Sequence, residues 1–209
     1  ALLQQAQDFG LPVYEGYGLS ECGSVVALNL PGTTKPDSVG KPLSHCTIRI
    51  ADDGEIHVRG AVMSGYLGEP ESADVEIATG DLGHFDADGF LQVDGRKKNM
   101  FITAFGRNVN PEWVEAELLR FLPVRQVAVF GEALPRNVAI VVARNGFSAA
   151  DVDAAVAECN RGLPDYARIG RVVLATDPFT VGNGFATANG RVRRAAIEQQ
   201  YTDLLKDNF

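Results

Sequence analysis

Short apolar runs on either side of tight acidic turns dominate residues 41–95 and restrict this stretch to a small set of folds. Residues 47–51 and 55–59 alternate apolar and polar side chains around Asp-Asp-Gly at 52–54. A second pair of runs flanks Asp-Ala-Asp-Gly at 86–89. Alternation with a period of two around a glycine turn is typical of a β-hairpin. The sequence therefore predicts short antiparallel strands joined by tight turns.

The pattern changes after Arg96, where strand-like runs alternate with helical segments. Asn110 followed by Pro111 indicates a helix N-terminus, because asparagine caps the first turn and proline fits within it. We expect this helix to reach about Phe121, and Ser148 to begin a second one that ends before Pro164. The remaining expected elements are strands at 11–14, 99–103, 126–130, 138–143 and 171–175, and a final amphipathic helix at 192–205 with Ile197, Tyr201, Leu204 and Leu205 on one side.

These segments together predict an α+β fold in two parts, a small mostly-β subdomain followed by a compact α+β domain. We place the boundary between residues 95 and 96, so that the parts cover 1–95 and 96–209. Residues 1–10 indicate the end of a helix, and the chain does not begin with methionine. We therefore expect it to be the C-terminal part of something longer.

Composition excludes several classes of function. The chain has 209 residues with a net charge of −8, which argues against broad electrostatic binding to nucleic acid or anionic membrane. No apolar run approaches the roughly 20 residues that a transmembrane helix needs. The three cysteines are widely spaced without a Cys-x-x-Cys pair, so neither a disulfide framework nor a zinc site is indicated. We expect a cytoplasmic protein.

Residues 17–21, Tyr-Gly-Leu-Ser-Glu, form the first stretch with chemical potential. Tyr17 can stack on a base, Gly18 lets a phosphate approach closely, and oxygens from Ser20 and Glu21 suit Mg²⁺. The structural alternative is a loop in which Ser20 caps a helix and Glu21 favours its dipole. Both interpretations remain open for this stretch taken alone.

Two further stretches carry groups that suit sugars and phosphates. Asp81 follows a glycine in Thr-Gly-Asp, where a carboxylate can accept two hydroxyl hydrogen bonds from a ribose, although most such pairs are simple turns. Arg96 and Arg107 flank a predicted strand and can donate to phosphate or sugar oxygens. Their structural alternative is a solvated basic face, which we favour for Lys97.

A glycine loop at residues 187–190 delivers three arginines to the start of the last helix. Because a helix N-terminus favours anions, Arg191, Arg193 and Arg194 serve better there as a hook for an anion than as partners of the helix dipole. The alternative is that Arg193 and Arg194 are only solvated.

Taken in order, these stretches resemble the adenylate-forming (AMP-binding) family of acyl-CoA synthetases, luciferases and nonribosomal adenylation domains. The similarity is strongest to bacterial long-chain acyl-CoA synthetase-like proteins and covers nearly the whole chain in the correct order. Six motifs carry it: Tyr-Gly-x-Ser-Glu at 17–21, Gly-Glu through Gly-Tyr at 54–66, Thr-Gly-Asp at 79–81, Gly-Arg at 95–96, Gly through Pro-Glu at 106–112, and Thr-x-x-Gly-Arg-Val-x-Arg at 187–194.

The resemblance implies roles for individual residues in binding ATP. Tyr17 would stack on adenine, Ser20 would contact a phosphate, and Glu21 would bind Mg²⁺. Asp81 and Arg96 would hold the ribose hydroxyls. Residues 1–95 would then be the remnant of a large N-terminal domain, and residues 96–209 would be the family's C-terminal lid domain.

The resemblance also assigns the second half of the reaction, in which acyl-AMP reacts with CoA. Lys98 would be the hinge about which the lid rotates between the two half-reactions. Arg107 would face phosphate or CoA, and Gly106 would lie beside the pantetheine path. The implied reaction joins a carboxylic acid, which we expect to be a fatty acid, to CoA at the expense of ATP. No nucleic acid is expected as a partner.

The sequence departs from the family in two respects. Arg191 stands where the family has the lysine that bridges the substrate carboxylate and the α-phosphate, and a planar guanidinium does not replace a compact ammonium there. The sequence also contains no glycine-rich Ser/Thr-Gly-x-x-Gly-x-Pro-Lys loop to hold the β- and γ-phosphates. We expect that loop in an upstream domain and this chain alone to be inactive. The alternative is a non-catalytic module that binds a nucleotide or a partner.

Overall fold

The computed structural model of the protein describes residues 3, 6, 8–68 and 75–206. It divides the chain into two compact units, Ala1–Lys97 and Lys98–Phe209. The division therefore falls two residues after the boundary placed from the sequence. The helix expected over residues 1–10 lies partly outside the described residues. At its end, the Leu11 amide donates to the carbonyl of Ala6 at 2.9 Å.

The first unit begins with a small three-stranded antiparallel sheet. Its strands are β1 (Gly16–Tyr17), β2 (Ala27–Leu28) and β3 (Lys41–Pro42), with β2 in the centre. The strand predicted at 11–14 is wrong. All four of those residues are exposed, so they have no buried face to pack against, and pairing starts only at Gly16.

A four-stranded antiparallel sheet follows in the order β4-β5-β6-β7. Its strands are β4 (Cys46–Ile50), β5 (Glu55–Gly60), β6 (Glu76–Phe85) and β7 (Leu91–Arg96). Both predicted hairpins are confirmed. The buried side chains of this sheet come from alternate positions and form one apolar core that includes Ile48, Ile56, Val58, Ile77 and Leu91.

The second unit opens with a short hairpin and a helix. Strands β8 (Phe101–Ile102) and β9 (Asn108–Val109) pair antiparallel, so the strand predicted at 99–103 forms over only two residues. Helix α1 (Pro111–Leu118) begins as predicted, with the Asn110 side chain accepting hydrogen bonds from the first two free amides.

A mixed sheet forms the centre of this unit. Strands β10 (Val124–Phe130) and β11 (Asn137–Ala143) are antiparallel, whereas β12 (Ile169–Leu174) runs parallel to β11. The parallel connection between β11 and β12 contains helix α2 (Ala149–Gly162), which begins with a capping box at Ser148.

Both faces of this sheet are buried, which explains why its strands are nearly continuous apolar runs. On β10, Val127 and Val129 face one core, which also contains residues of α1 and α2. Ala128 and Phe130 alternate with these valines along the strand, face the opposite side of the sheet and belong to the other core. That second core includes Ile197 and Leu205, so the end of the chain closes the sheet on its second side.

The single helix predicted over 192–205 is wrong in its extent. The structure has two shorter helices, α3 (Arg194–Gln200) and α4 (Thr202–Lys206), which meet at Tyr201. Ile197, Tyr201 and Leu205 are buried at a spacing of four residues, as the amphipathic pattern predicted. Leu204 is exposed, contrary to the prediction.

The predicted α+β class is confirmed, with several sheets and a few short helices. Among the described residues, no helix combines the length and the apolar character needed to cross a membrane.

Candidate functional site

Asp81 is at the centre of the best-formed polar site in the first unit. It lies on β6, directly opposite Arg96 on β7, and Arg96 Nε lies 2.8 Å from Asp81 Oδ1. Gly80 precedes it with φ of +72°, a left-handed conformation that glycine adopts without strain. The predicted neighbours Asp81 and Arg96 are thus brought together by the register of one hairpin.

Tyr17 completes this site from the small sheet. Its hydroxyl donates to Asp81 Oδ2 at 2.6 Å, although the two residues are 64 positions apart in the chain. Burial and the neighbouring Asp81 carboxylate raise the pKa of the Tyr17 phenol well above its usual value, so the phenol keeps its proton. The Asp81 side chain is only 9% exposed, and both of its oxygens have a partner.

A second layer of contacts fixes the Thr-Gly-Asp stretch. The Gly80 amide donates to Glu55 Oε1 at 2.8 Å, and the Lys97 ammonium lies 2.7 Å from Glu55 Oε2 and 2.6 Å from Asp53 Oδ2. The Lys97 ammonium, followed by the Gly80 amide, lowers the pKa of Glu55. Lys97 therefore forms ion pairs with two carboxylates, and the interpretation that it is only solvated is wrong. The distance between these residues in the sequence does not indicate that they pair.

The loop at 17–21 is shaped by close backbone packing. A side chain at Gly18 would begin 1.5 Å from the carbonyl oxygen of Ser24, so the fold itself requires glycine there. Ser20 is exposed and is the first residue of a short 3-10 helix, Ser20–Cys22. Leu19 occupies the N-cap position without a side-chain bond. The alternative in which Ser20 acts as the cap is therefore wrong.

Glu21 is the candidate metal ligand. Its Oε1 accepts a hydrogen bond from the Tyr66 hydroxyl at 3.4 Å, and its carboxylate is partly exposed. No group of three or more His, Cys, Asp or Glu side chains suited to a metal occurs among the described residues. Mg²⁺ commonly binds through one or two carboxylates while substrate phosphates supply other ligands. A single, partly exposed carboxylate such as that of Glu21 is compatible with this mode.

Gly106 and Arg107 lie at the turn of the β8–β9 hairpin in the second unit. The Gly106 amide donates to the carbonyl of Thr103, and the Arg107 amide donates to Thr103 Oγ1. Gly106 has φ of +71° with no atom near the position a side chain would take. Lys98 is exposed and lines a separate groove of about 520 Å³, whose floor includes Phe101 and Phe130.

Arg107 lines a cleft of about 500 Å³ within the second unit. Arg136 and Arg168 line the same cleft, and the aromatic side chains of Phe105 and Tyr166 lie beside them, both exposed. The Arg168 guanidinium is already held by Asp165, at 2.6 Å, and by the backbone carbonyls of Asn160 and Leu163. The guanidinium groups of Arg107 and Arg136, with the two exposed aromatic rings, suit a phosphorylated nucleotide, which offers anionic oxygens and a flat base.

Arg191 lies at a tight turn closed by Thr187. The Thr187 amide donates to the carbonyl of Arg191 at 2.8 Å, and the Arg191 amide donates to Thr187 Oγ1 at 3.0 Å. The Arg191 side chain is exposed, and its guanidinium has no hydrogen-bond partner within the part of the chain that the structure describes. It is available to bind an anion.

Arg194 differs from its neighbours and corrects the interpretation of three arginines as one anion hook. Its Nη1 and Nη2 lie 2.7 and 3.1 Å from the two oxygens of Glu115, and Nη1 also donates to the carbonyl of Val129. Glu115 in turn accepts from the Val129 amide at 2.6 Å. Arg194 therefore fixes the start of α3 to α1 and β10, and its guanidinium is occupied by these contacts rather than shared with Arg191.

Comparison with known proteins identifies the family. Residues 1–67 match the family model described as AMP-binding enzyme, and residues 98–209 match the model described as AMP-binding enzyme C-terminal domain. The second match alone covers more than half of the chain. The chain belongs to the AMP-binding enzyme family. The predicted resemblance is therefore confirmed.

Relatives of this AMP-binding chain are CoA ligases. It is 34% identical to long-chain-fatty-acid–CoA ligase FadD15 of Mycobacterium bovis over 92% of its own length. It is similar in structure to o-succinylbenzoate CoA synthetase (MenE) from Bacillus subtilis in complex with the acyl-adenylate intermediate OSB-AMP, with a TM-score of 0.77, 29% identity, and coverage of 100% of this chain and 44% of that one. A second structure of that synthetase, with ATP and magnesium ion, gives a TM-score of 0.74, 28% identity, and coverage of 93% and 43%.

The AMP-binding chain spans 37% of the length of the first of these relatives. Of its candidate residues, Tyr17, Asp81 and Arg96 are joined by direct contacts. Lys98, Gly106, Arg107 and Arg191 belong to the other compact unit. The sequence placed Glu55 in the Gly-Glu motif at 54–66 but gave no sign of its contacts with Gly80 and Lys97, and it gave no signal for Glu115 as a supporting residue.

Proposed function

We propose that this chain is the C-terminal part of an ATP-dependent acid–thiol ligase that converts a carboxylic acid into acyl-AMP and transfers the acyl group to CoA. A fatty acid is the proposed acid, because the FadD15 relative is named as a long-chain-fatty-acid–CoA ligase. The observation that carries the proposal is the Tyr17–Asp81–Arg96 site of the first unit. There the Asp81 carboxylate is held by two protein donors and can accept hydrogen bonds from hydroxyl groups of a ligand.

The ribose of ATP is the proposed ligand of Asp81. A carboxylate with two oxygens can accept hydrogen bonds from two neighbouring hydroxyls, and Arg96 holds the charge of Asp81 in place. Tyr17 is proposed to stack on the base, with Gly18 and Ser20 beside the phosphates. Glu21 would supply one ligand to Mg²⁺, which would neutralise phosphate charge when ATP is bound.

CoA is the proposed second nucleotide substrate. The cleft that contains Arg107 and Arg136, with the exposed rings of Phe105 and Tyr166, supports this proposal, because the nucleotide end of CoA carries several phosphates and an adenine ring. Gly106 is proposed to lie beside the pantetheine path, and the open space next to its Cα and its position between Phe105 and Arg107, which line the cleft, support this. Lys98 is proposed as the hinge, and its position as the first residue of the second unit supports that role.

Arg191 is proposed to contact the substrate carboxylate and the α-phosphate. Its exposed guanidinium supplies positive charge where the carboxylate oxygen attacks phosphorus and pyrophosphate leaves. The chain has no glycine-rich loop for the β- and γ-phosphates. We therefore propose that residues 1–209 alone do not form acyl-AMP and that a polypeptide carrying such a loop completes the site.

The test compares this chain with a version extended by the natural coding sequence upstream of Ala1. Carboxylate-dependent exchange of pyrophosphate into ATP reports the first half-reaction, and CoA thioester formation reports the second. We expect both activities in the extended protein and neither in the 209-residue chain. A panel of short, medium and long fatty acids and an aromatic acid then identifies the acid. Exchange by the short chain would contradict the inactivity proposed for it.

Arg191 favours a second candidate function, a non-catalytic module that binds a nucleotide or a partner. A guanidinium retains the charge of the family's lysine but not its compact shape. Arg191→Lys in the extended protein distinguishes the two candidates, because a degenerate site would show little exchange before the substitution and more after it. If the parent already exchanges pyrophosphate efficiently, this second candidate is excluded.

A further inference from the structure

The Tyr17 hydroxyl makes a contact that base stacking does not require. Phenylalanine offers the same aromatic face to a base as tyrosine does. In this structure the hydroxyl instead donates to Asp81 Oδ2 at 2.6 Å, a short distance typical of a hydrogen bond to an ionised acceptor. The hydroxyl therefore serves the carboxylate, and its contribution can be separated from that of the ring.

The two protein donors divide the carboxylate between them. Arg96 Nε approaches Oδ1 and the Tyr17 hydroxyl approaches Oδ2, so each oxygen accepts one hydrogen bond from the protein. A carboxylate has about four lone-pair positions, two on each oxygen. One position on each oxygen remains, and the two oxygens together can accept from two vicinal hydroxyls. Without the Tyr17 hydroxyl, only Oδ1 is held in orientation by a side chain.

Neighbouring contacts make this orientation rigid. The Arg96 Nη1 group donates to the carbonyl of Thr79, and the amide of Asp81 donates to Thr79 Oγ1. Because the Asp81 side chain is only 9% exposed, the loss of a protein donor costs more there than it would at the surface. The contacts at both oxygens therefore oppose rotation of the carboxylate, and a fixed carboxylate can accept hydrogen bonds from two neighbouring hydroxyls in one defined geometry.

We propose that Tyr17, through its hydroxyl, is a positioning residue that lets Asp81 distinguish ribonucleotides from 2′-deoxynucleotides. This inference rests on the proposed function, in which Asp81 binds the ribose of the nucleotide. It adds to Tyr17 a role on the sugar side of the site that is independent of stacking on adenine.

The experiment measures dissociation constants of AMP, 2′-deoxy-AMP and 3′-deoxy-AMP by NMR titration of the 209-residue chain. The variants are Tyr17→Phe, Asp81→Asn and the double variant, and Tyr14→Phe is the control because Tyr14 is an exposed tyrosine outside the site. The quantity compared is the ratio of the deoxynucleotide constant to the AMP constant. Because the ratio cancels any change in the fraction of folded chain, a destabilised variant remains informative.

We expect Tyr17→Phe to weaken AMP roughly tenfold, the scale of one hydrogen bond to a charged group, and to weaken 2′-deoxy-AMP much less. Asp81→Asn should also lower the ratio, and the double variant should lower it no further, since both changes remove the same interaction. Tyr14→Phe should leave the ratio unchanged.

Other outcomes overturn the inference in distinguishable ways. Equal weakening of all three nucleotides by Tyr17→Phe would mean that the residue acts through the base alone. Tighter binding of AMP by Tyr17→Phe would mean that the hydroxyl competes with the ribose for Asp81. In both cases the proposed function survives. If the parent chain binds no nucleotide even at millimolar AMP, the ribose site itself is refuted and the proposed function loses its main support.

Discussion

The ion pair between Glu115 and Arg194 should be the most sensitive polar contact of the second unit. The guanidinium makes a bidentate contact with the carboxylate at 2.7 and 3.1 Å, and both groups also bond to the backbone of Val129. Together they join the start of α3 to α1 and to the central sheet. Replacing Arg194 by methionine keeps much of the apolar volume of the side chain but leaves the carboxylate without its partner.

The magnitude follows from burial. Removing one member of a buried pair costs about 3–5 kcal/mol, because the remaining charge is uncompensated. The side chains of Arg194 and Glu115 are 21% and 10% exposed, so the pair is mostly but not wholly desolvated. We therefore expect Arg194→Met to lower the free energy of unfolding by about 3 kcal/mol at neutral pH. The double change Glu115→Gln with Arg194→Met should cost clearly less than the sum of the two single changes.

Trp113 provides the assay. It is the only tryptophan of the chain and lies on α1, two residues from Glu115, so its fluorescence during urea unfolding reports on the second unit alone. Arg193→Met is the matched control, because Arg193 is exposed and adjacent in sequence, and it should change stability by no more than about 0.5 kcal/mol. A cost below about 1 kcal/mol for Arg194→Met would refute the reasoning, since exposed pairs have that magnitude.

The pH dependence has a definite sign. Burial raises the pKa of Glu115 above its usual value even with Arg194 present, and losing Arg194 must raise it further. A carboxyl group with a raised pKa binds its proton more tightly in the folded state, so its ionisation lowers stability as the pH rises above the unfolded value. The loss caused by Arg194→Met should therefore be largest at neutral pH and should shrink as the pH approaches the usual glutamate range.

Three other substitutions test separate parts of the structure. Gly18→Ala should destabilise the first unit by more than about 2 kcal/mol, because its side chain would meet the Ser24 carbonyl at 1.5 Å, and urea unfolding followed by tyrosine absorbance measures this. Lys97→Met should lower the urea unfolding midpoint of the first unit slightly at neutral pH, and this difference should vanish as acid protonates Glu55, whose stabilising contribution is lost as the pH falls through its lowered pKa. Asn110→Ala should lower the free energy of unfolding by about 1 kcal/mol, because the helix loses its cap, and Trp113 fluorescence during urea unfolding measures this. An unchanged unfolding midpoint for any of these variants would contradict the corresponding contact.

The sequence predicted elements well where local chemistry determines them. The hairpin around residues 52–54, the cap at Asn110 and the helix start at Ser148 each depend on side chains within a few positions, and all three form as expected. The break at Tyr201 could not be predicted in this way, because Tyr201 continues the buried spacing of Ile197 and Leu205 while its backbone departs from the helix.

The contacts that build the candidate site are long-range and therefore lay beyond sequence patterns. Tyr17 and Asp81 are 64 residues apart, and Glu115 and Arg194 are 79 apart. Their residue types suggested hydrogen bonding and charge, but the partners depend on which strands and helices pack together. Arg194 shows the consequence: its spacing from Arg191 suggested a shared anion site, whereas packing of α1 against β10 gives it a carboxylate partner.

The most direct test of the proposed nucleotide site is the map of amide chemical shifts when AMP is added to the 209-residue chain. We predict changes concentrated at residues 17–21, 79–81 and 95–96, and their loss in Asp81→Asn. Changes that spare these residues, or that are the same in Asp81→Asn, would contradict the assignment of Asp81 and its neighbours to the ribose of a bound nucleotide.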